Sequence, residues 1–262
     1  MIKFLMGVIA VLMLIVGAAI FISPNQALNK LETSKIITTD VGTGSGVAIS
    51  DKYILTNHHV VGGSKTVTYE DSNGSIHDAV VKYINPDIDI AVIESKDKIE
   101  KYAEISCRLP KFGDKVTIIG RVEHFNWIFT SGFISSSRVV KYIQPLSEAA
   151  KAELGEDFLI INASLSFGAS GSPVFYENGT TVVGIAGAIF NSLKTGDNLN
   201  KSGAVAMYDL CPWLETNKID YTKTSFINEL MNLRVDSDEI LNYINSVKGI
   251  AYEKLYEVLS RA

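Results

Sequence analysis

Between Ile36 and Met207 the chain is a succession of short apolar runs broken by turn residues, and this pattern limits the possible folds more than any other feature. Ile36-Ile37, Gly46–Ile49, Tyr53–Thr56, Thr66–Tyr69, Ala79–Tyr83 and Ile90–Ile93 form a first series of strand-sized segments. A second series comprises Lys115–Ile119, Trp127–Thr130, Gly132–Ser135, Val139–Ile143, Phe158–Ile161, Pro173–Tyr176, Thr181–Ile185 and Ala204–Met207. Asp71-Ser72-Asn73-Gly74 and Asn178-Gly179 carry the residues that tight hairpin turns require. The runs are too short for helices and no helical periodicity lies between them. Closely spaced strands of this kind pair antiparallel, as sandwiches or barrels. The two series join near Pro110-Lys111-Phe112-Gly113, and no repeat at a fixed period is present.

The flanks differ from this middle. Phe4 to Ile22 is a stretch of nineteen residues without a charge, preceded by Lys3. As a helix it measures about 28 Å, against a hydrocarbon core of about 30 Å. That length predicts an uncleaved single-pass anchor rather than a cleaved signal peptide, the alternative under which the protein is secreted. Lysines on both sides of the stretch leave its orientation open. Residues 1–23 are thus read as anchor or signal segment and 24–34 as a polar linker. Beyond residue 215 the pattern turns helical, with Phe226, Leu230, Leu233, Ile240, Tyr243, Ile244 and Val247 at helical spacing. Residues 216–262 are read as a helical extension.

Composition excludes some functions. Lys and Arg number 24 against 29 Asp and Glu, without a basic run, so nucleic-acid binding has no electrostatic footing. The two cysteines, Cys107 and Cys211, form no CxxC pair, and no His/Cys cluster has zinc spacing. No metal or organic cofactor is expected.

Three segments carry possible chemistry. In Thr56-Asn57-His58-His59-Val60-Val61 a histidine stands at a strand end, where a rigid element can fix an imidazole. In Asn85-Pro86-Asp87-Ile88-Asp89-Ile90 an acid borders an apolar strand, and burying it requires a partner such as an imidazole N–H. In Gly168-Ala169-Ser170-Gly171-Ser172-Pro173 glycines flank a serine directly before an apolar strand. Small residues there let backbone N–H groups converge beside an exposed hydroxyl. Taken singly, each is also compatible with an ordinary turn or a structural side chain.

Together and in this order, GTGSGVAI (42–49), TNHHVV (56–61), DIAVI (89–93), TSGFIS (130–135) and GASGSPVF (168–175) resemble the trypsin-like serine peptidases of the chymotrypsin fold. The Deg-type and glutamyl-endopeptidase branches are the most similar. The resemblance covers about residues 36–215, and no PDZ-like segment follows it. It implies an all-β fold of two antiparallel six-stranded barrels over residues 35–215, the first spanning 35–110 and the second 111–210. To these the flanks add an N-terminal transmembrane helix and a C-terminal helical extension. It implies a Ser-His-Asp triad of Ser170, His59 and Asp89, an oxyanion hole from the N–H groups of Gly168 and Ser170, and protein or peptide substrates. Ser164, Gly187, Ile189 and Gly203 are the implied substrate-pocket positions. No acid stands at Ser164, so cleavage after Lys or Arg is disfavoured and an apolar P1 residue is expected. Ala169 stands where many relatives carry an acid that pairs with a new amino terminus. His77 and His124 match no pocket segment. The fold also brings the regions of Cys107 and Cys211 near one another, so both a disulfide and two free thiols remain open. With the anchor, the resemblance places the peptidase domain outside the cytoplasm. An inactive peptidase fold serving as a membrane-bound binding or adaptor module is the alternative function.

Overall fold

The computed structural model describes residues 26–136, 159–191 and 198–225. The expected anchor, the strand Val139–Ile143 and the tail helices beyond residue 225 lie outside these. Among the described residues no helix is long and apolar enough to cross a membrane.

The first series of apolar runs becomes β1 (Ser34–Thr39), β2 (Gly42–Ala48), β3 (Tyr53–Thr56), β4 (Thr66–Glu70), β5 (Ile76–Asn85) and β6 (Ile90–Ser95). They close a barrel in the order β1-β2-β3-β6-β5-β4. The Asp71–Gly74 turn joins β4 to β5 as its residues demand, with Gly74 at φ 83°. The second series gives β8 (Lys115–Val122), β9 (Phe125–Ser136), β10 (Leu159–Ile161), β11 (Pro173–Tyr176), β12 (Thr181–Asn191) and β13 (Asn198–Ala206). These are ordered β11-β8-β9-β10-β13-β12, and a β11–β12 pairing closes the ring. Counted from its own first strand, this second barrel repeats the connectivity of the first. The duplication is invisible as a sequence repeat because each core position tolerates any apolar residue of suitable volume.

Each barrel has its own interior. Ile37, Ile54, Val67, Tyr69, Ala79, Ala91 and Ile93 fill the first, and Val116, Ile118, Ile134, Leu159, Ile161, Val174 and Val183 the second. Alternate residues of the same strands point the other way. Val47, Leu55, Ile90 and Val92 meet Ile119, Phe175, Val182 and Ile185 in a third core between the barrels. Strands buried on both sides explain why the runs read as continuously apolar rather than alternating. A helix, Met207–Thr216, sets Met207, Leu210, Cys211 and Leu214 into this shared core.

The structure departs from the sequence reading in four places. Gln26–Thr33, expected to be linker, is a helix, α1. Its Leu31 packs on the shared core, and the buried Lys30 Nζ donates to the Glu177 carbonyl at 2.6 Å. Those anchors lie far away in sequence, so a polar segment this short does not announce itself as a helix. β9 is one strand where the sequence shows two apolar runs, because Ser131 and Gly132 continue the pairing with β8. The chain leaves the first barrel earlier than residue 110: β7 (Glu104–Ile105) already pairs with β12. At the other end, β14 (Thr222–Lys223) pairs with β7, so a strand occupies the start of the segment read as helical. Cys107 and Cys211 are joined, with Cα atoms 5.8 Å apart, tying the crossing between barrels to the helix Met207–Thr216.

Candidate active site

The histidine segment follows β3 directly. His58–Val61 form a single helical turn, α2, which Gly62 ends in the left-handed conformation at φ 53°. Val60 and Val61 are buried in the first barrel. This fixes the turn and leaves the His59 ring facing outward, 39% exposed.

The acid is supplied by the next motif. Asn85 accepts a hydrogen bond from the Asp87 N–H through its side chain, and Pro86 starts a 3-10 turn that ends in Asp89 at φ 50°, ψ 47°. Few L-residues other than Asn and Asp adopt this left-handed conformation readily. The turn directs the Asp89 carboxylate back onto α2, so the residue is only 8% exposed. One oxygen accepts the His59 backbone N–H at 2.9 Å, and the other meets Nδ1 of the same ring at 2.7 Å. Two N–H partners offset the cost of burying the carboxylate. Holding Nδ1 as a donor leaves Nε2 as the acceptor, the tautomer a general base requires.

The serine comes from the other barrel. Ser166–Ser172 form the second half of the connection from β10 to β11, with Gly168 and Gly171 at φ 91° and 85°. A Cβ on Gly171 would collide with the Ser45 carbonyl and Thr56 Oγ1, so only glycine allows the loop this close to the first barrel. Barrel one grips the loop through Ser45 of β2. Its N–H donates to the Ser170 carbonyl at 2.8 Å, and its hydroxyl donates to the Gly168 carbonyl at 3.0 Å. From the β8–β9 hairpin, the Glu123 N–H donates to the Phe167 carbonyl at 2.6 Å. Among the described residues, the N–H groups of Gly168 and Ser170 have no protein acceptor. Ala169 packs into the core of the second barrel, so no charge stands at that position.

The structure thus brings His59 and Asp89 into direct contact and holds the Ser170 main chain against the same face of the first barrel. The expected pocket positions are more dispersed. Ser164 is exposed. Gly203 lies opposite Ala188 and Ile160, and Ile189 is partly buried against the second barrel's core. Gly187 is the extra residue of a bulge between the paired Ala186 and Ala188. A Cβ there would come within 3.0 Å of the Asn57 side chain. His77 lies in β5, its ring stacked on Tyr69 and its Nδ1 2.8 Å from Asp97; exposed His124 lies in the β8–β9 turn. Among the described residues no cluster suits a metal ion.

Sequence reasoning did not single out Ser45 or Asn57, which form the polar contacts between the barrels beside these groups. Nor did it find Lys201, whose Nζ donates to Asn162 Oδ1 at 2.7 Å, two residues before Ser164. The only available signal was their place inside the quoted motifs or next to a pocket residue.

Comparisons with known proteins agree with the fold. A family model described as a trypsin-like peptidase domain matches residues 44–185. A probable periplasmic serine endoprotease, DegP-like, of Buchnera aphidicola is 31% identical over 215 residues, covering 79% of this chain and 43% of the relative. Human serine protease HTRA4 is 29% identical over 167 residues, covering 61% and 32%. The chain therefore spans less than half the length of these curated relatives. Among solved structures, the HtrA-type protease AlgW with a tripeptide aligns with a TM-score of 0.62 at 22% identity, covering 76% of this chain and 64% of that one. An inactive form of Rv3671c from M. tuberculosis H37Rv aligns at 0.59 and 21% identity, covering 74% and 94%. At such identities these structures speak for the fold, while the matched family model covers more than half of the sequence. On the strength of that match, the chain belongs to the trypsin-like peptidase family.

Proposed function

We propose that the protein is a serine endopeptidase that hydrolyses peptide bonds through Ser170, His59 and Asp89. The supporting observation is the pair of hydrogen bonds that the Asp89 carboxylate accepts from His59, at the face where barrel one holds the Ser170 loop. Ser170 Oγ attacks the substrate carbonyl carbon while His59 Nε2 takes its proton. Asp89 holds the ring and stabilises the imidazolium that forms. The N–H groups of Gly168 and Ser170 bind the developing oxyanion, each worth about 3 kcal/mol in the transition state. Collapse of the tetrahedral intermediate returns the proton from His59 to the leaving amine. Water, activated by the same imidazole, then releases the acyl group from Ser170. Ser164, Gly187, Ile189 and Gly203 are assigned to the substrate pocket.

The peptidase domain is placed outside the cytoplasm, tethered by residues 1–23. The Cys107–Cys211 bond supports that side, because disulfides persist in oxidising compartments. The relative from Buchnera aphidicola is described as periplasmic. A fluorophosphonate probe tests the enzymatic reading. Labelling of the wild type that disappears in Ser170→Ala is the expected result. A folded wild type that never labels would leave an inactive binding module as the better description.

A further inference from the structure

We infer that Asn57 is a positioning residue whose carboxamide sets the distance between the Asp89–His59 pair of barrel one and the Ser170 loop of barrel two. The inference rests on the peptidase reading above. Asn57 follows β3, immediately before α2, and is fully buried. Its Nδ2 donates to the Asp89 carbonyl at 2.9 Å, and its Oδ1 accepts the Gly171 N–H at 2.6 Å. The orientation of the amide is not ambiguous: a backbone carbonyl only accepts and a backbone N–H only donates. One planar side chain therefore bonds the acid residue at one end and the residue after the nucleophile at the other.

Neither partner needs Asn57 to satisfy its hydrogen-bonding capacity. The Asp89 carbonyl also accepts the His58 N–H at 3.1 Å, and the Gly171 N–H is shared with the Ala186 carbonyl at 2.8 Å. Both alternative bonds lie within one barrel. What Asn57 alone adds is a bond to each barrel from a single rigid group. Gly187 lets barrel two close on it from the far side, where a Cβ would come 3.0 Å from Nδ2 and 3.3 Å from Oδ1. The carboxamide is thus confined between the acid, the nucleophile loop and the β12 bulge. Asp89 in turn depends on a left-handed backbone held at its carbonyl, so a shift there moves the carboxylate and the ring bonded to it.

Removing the spacer should lower turnover more than binding, because Asn57 hydrogen-bonds the Asp89 and Gly171 main chains, whereas of the pocket positions only Gly187 adjoins it. A misplacement of about 1 Å between reacting groups costs on the order of 100-fold in rate. Asn57→Leu and Asn57→Ala are expected to lose roughly that factor in kcat on a peptide substrate, with KM within about threefold of wild type. The rate of fluorophosphonate labelling should fall in parallel. Asn57→Asp is the second variant, in case the apolar ones fail to fold. Its protonated acid is nearly isosteric with the carboxamide and offers an O–H to the Asp89 carbonyl. Ionised, it sets an anion against that carbonyl. Its kcat relative to wild type should therefore rise as pH falls. Full kcat in Asn57→Leu, a loss confined to KM, or an Asn57→Asp ratio independent of pH would overturn the assignment. A wild type that does not label at all defeats the peptidase reading instead, so the two failures are distinguishable.

Discussion

Breaking the Cys107–Cys211 bond should cost stability without touching catalysis. The two cysteines are 104 residues apart in sequence. In the chain-entropy description, a cross-link over n residues removes 2.1 + 1.5R ln n cal/mol/K from the unfolded ensemble. For this loop that is about 16 cal/mol/K, or about 4.7 kcal/mol at 298 K. Native domains are stable by only about 5–15 kcal/mol, so the bond carries a large fraction of the total. With a urea m-value of about 3 kcal/mol/M, reduction should lower the unfolding midpoint by about 1.6 M. The bond joins the crossing between barrels to the helix Met207–Thr216, whereas the Ser170 loop is held through Ser45 and Asn57. Reduced protein that is still folded should therefore keep its kcat to within about twofold. Urea titrations followed by tryptophan fluorescence, with and without reductant, measure the shift, and a Cys107→Ser/Cys211→Ser variant should reproduce it. A midpoint that moves by less than about 0.3 M would refute the argument. So would two thiols that alkylate in native, unreduced protein.

Two further predictions follow from the site and from α1. Asp89→Asn should lower kcat by about 10⁴-fold at little cost in fold: an amide N–H facing Nδ1 forces the proton onto Nε2, which then cannot act as base. Steady-state kinetics together with an unchanged melting curve would check this, and a loss under about tenfold would contradict the role given to the carboxylate. The second concerns pH. Burial of Lys30 lowers its ammonium to about 8 from 10.5, only partly opposed by Glu177. Between those values the unfolded chain holds a proton that the folded protein has released, so stability should rise with pH from about 8 upward. Lys35, also lowered by burial, contributes with the same sign. The Lys30 share is therefore read as the difference between wild type and Lys30→Met over pH 7.5–9.5. Equal slopes in the two proteins would exclude it.

Much of this protein is legible along the chain because its information is local. Apolar runs of strand length, punctuated by Asp71–Gly74 and Asn178-Gly179, specify paired strands wherever they meet. The serine loop can be recognised because its glycines are needed for backbone reasons, and φ at Gly168 and Gly171 is positive as such a turn requires. The Asn-Pro-Asp turn before Asp89 is likewise written in neighbouring residues. What only the tertiary structure decided is everything that depends on a partner distant in sequence. Gln26–Thr33 is a helix because Leu31 and Lys30 find the shared core and the Glu177 carbonyl. The choice between a bond and two thiols followed from how the barrel crossing and the last described helix meet. Asn57 looks like one polar residue among several in its motif, and it acquires a role only when Gly171 arrives from the other barrel. Periodicity and turn chemistry act over a few residues, whereas a hydrogen bond across 114 residues depends on how two completed barrels pack.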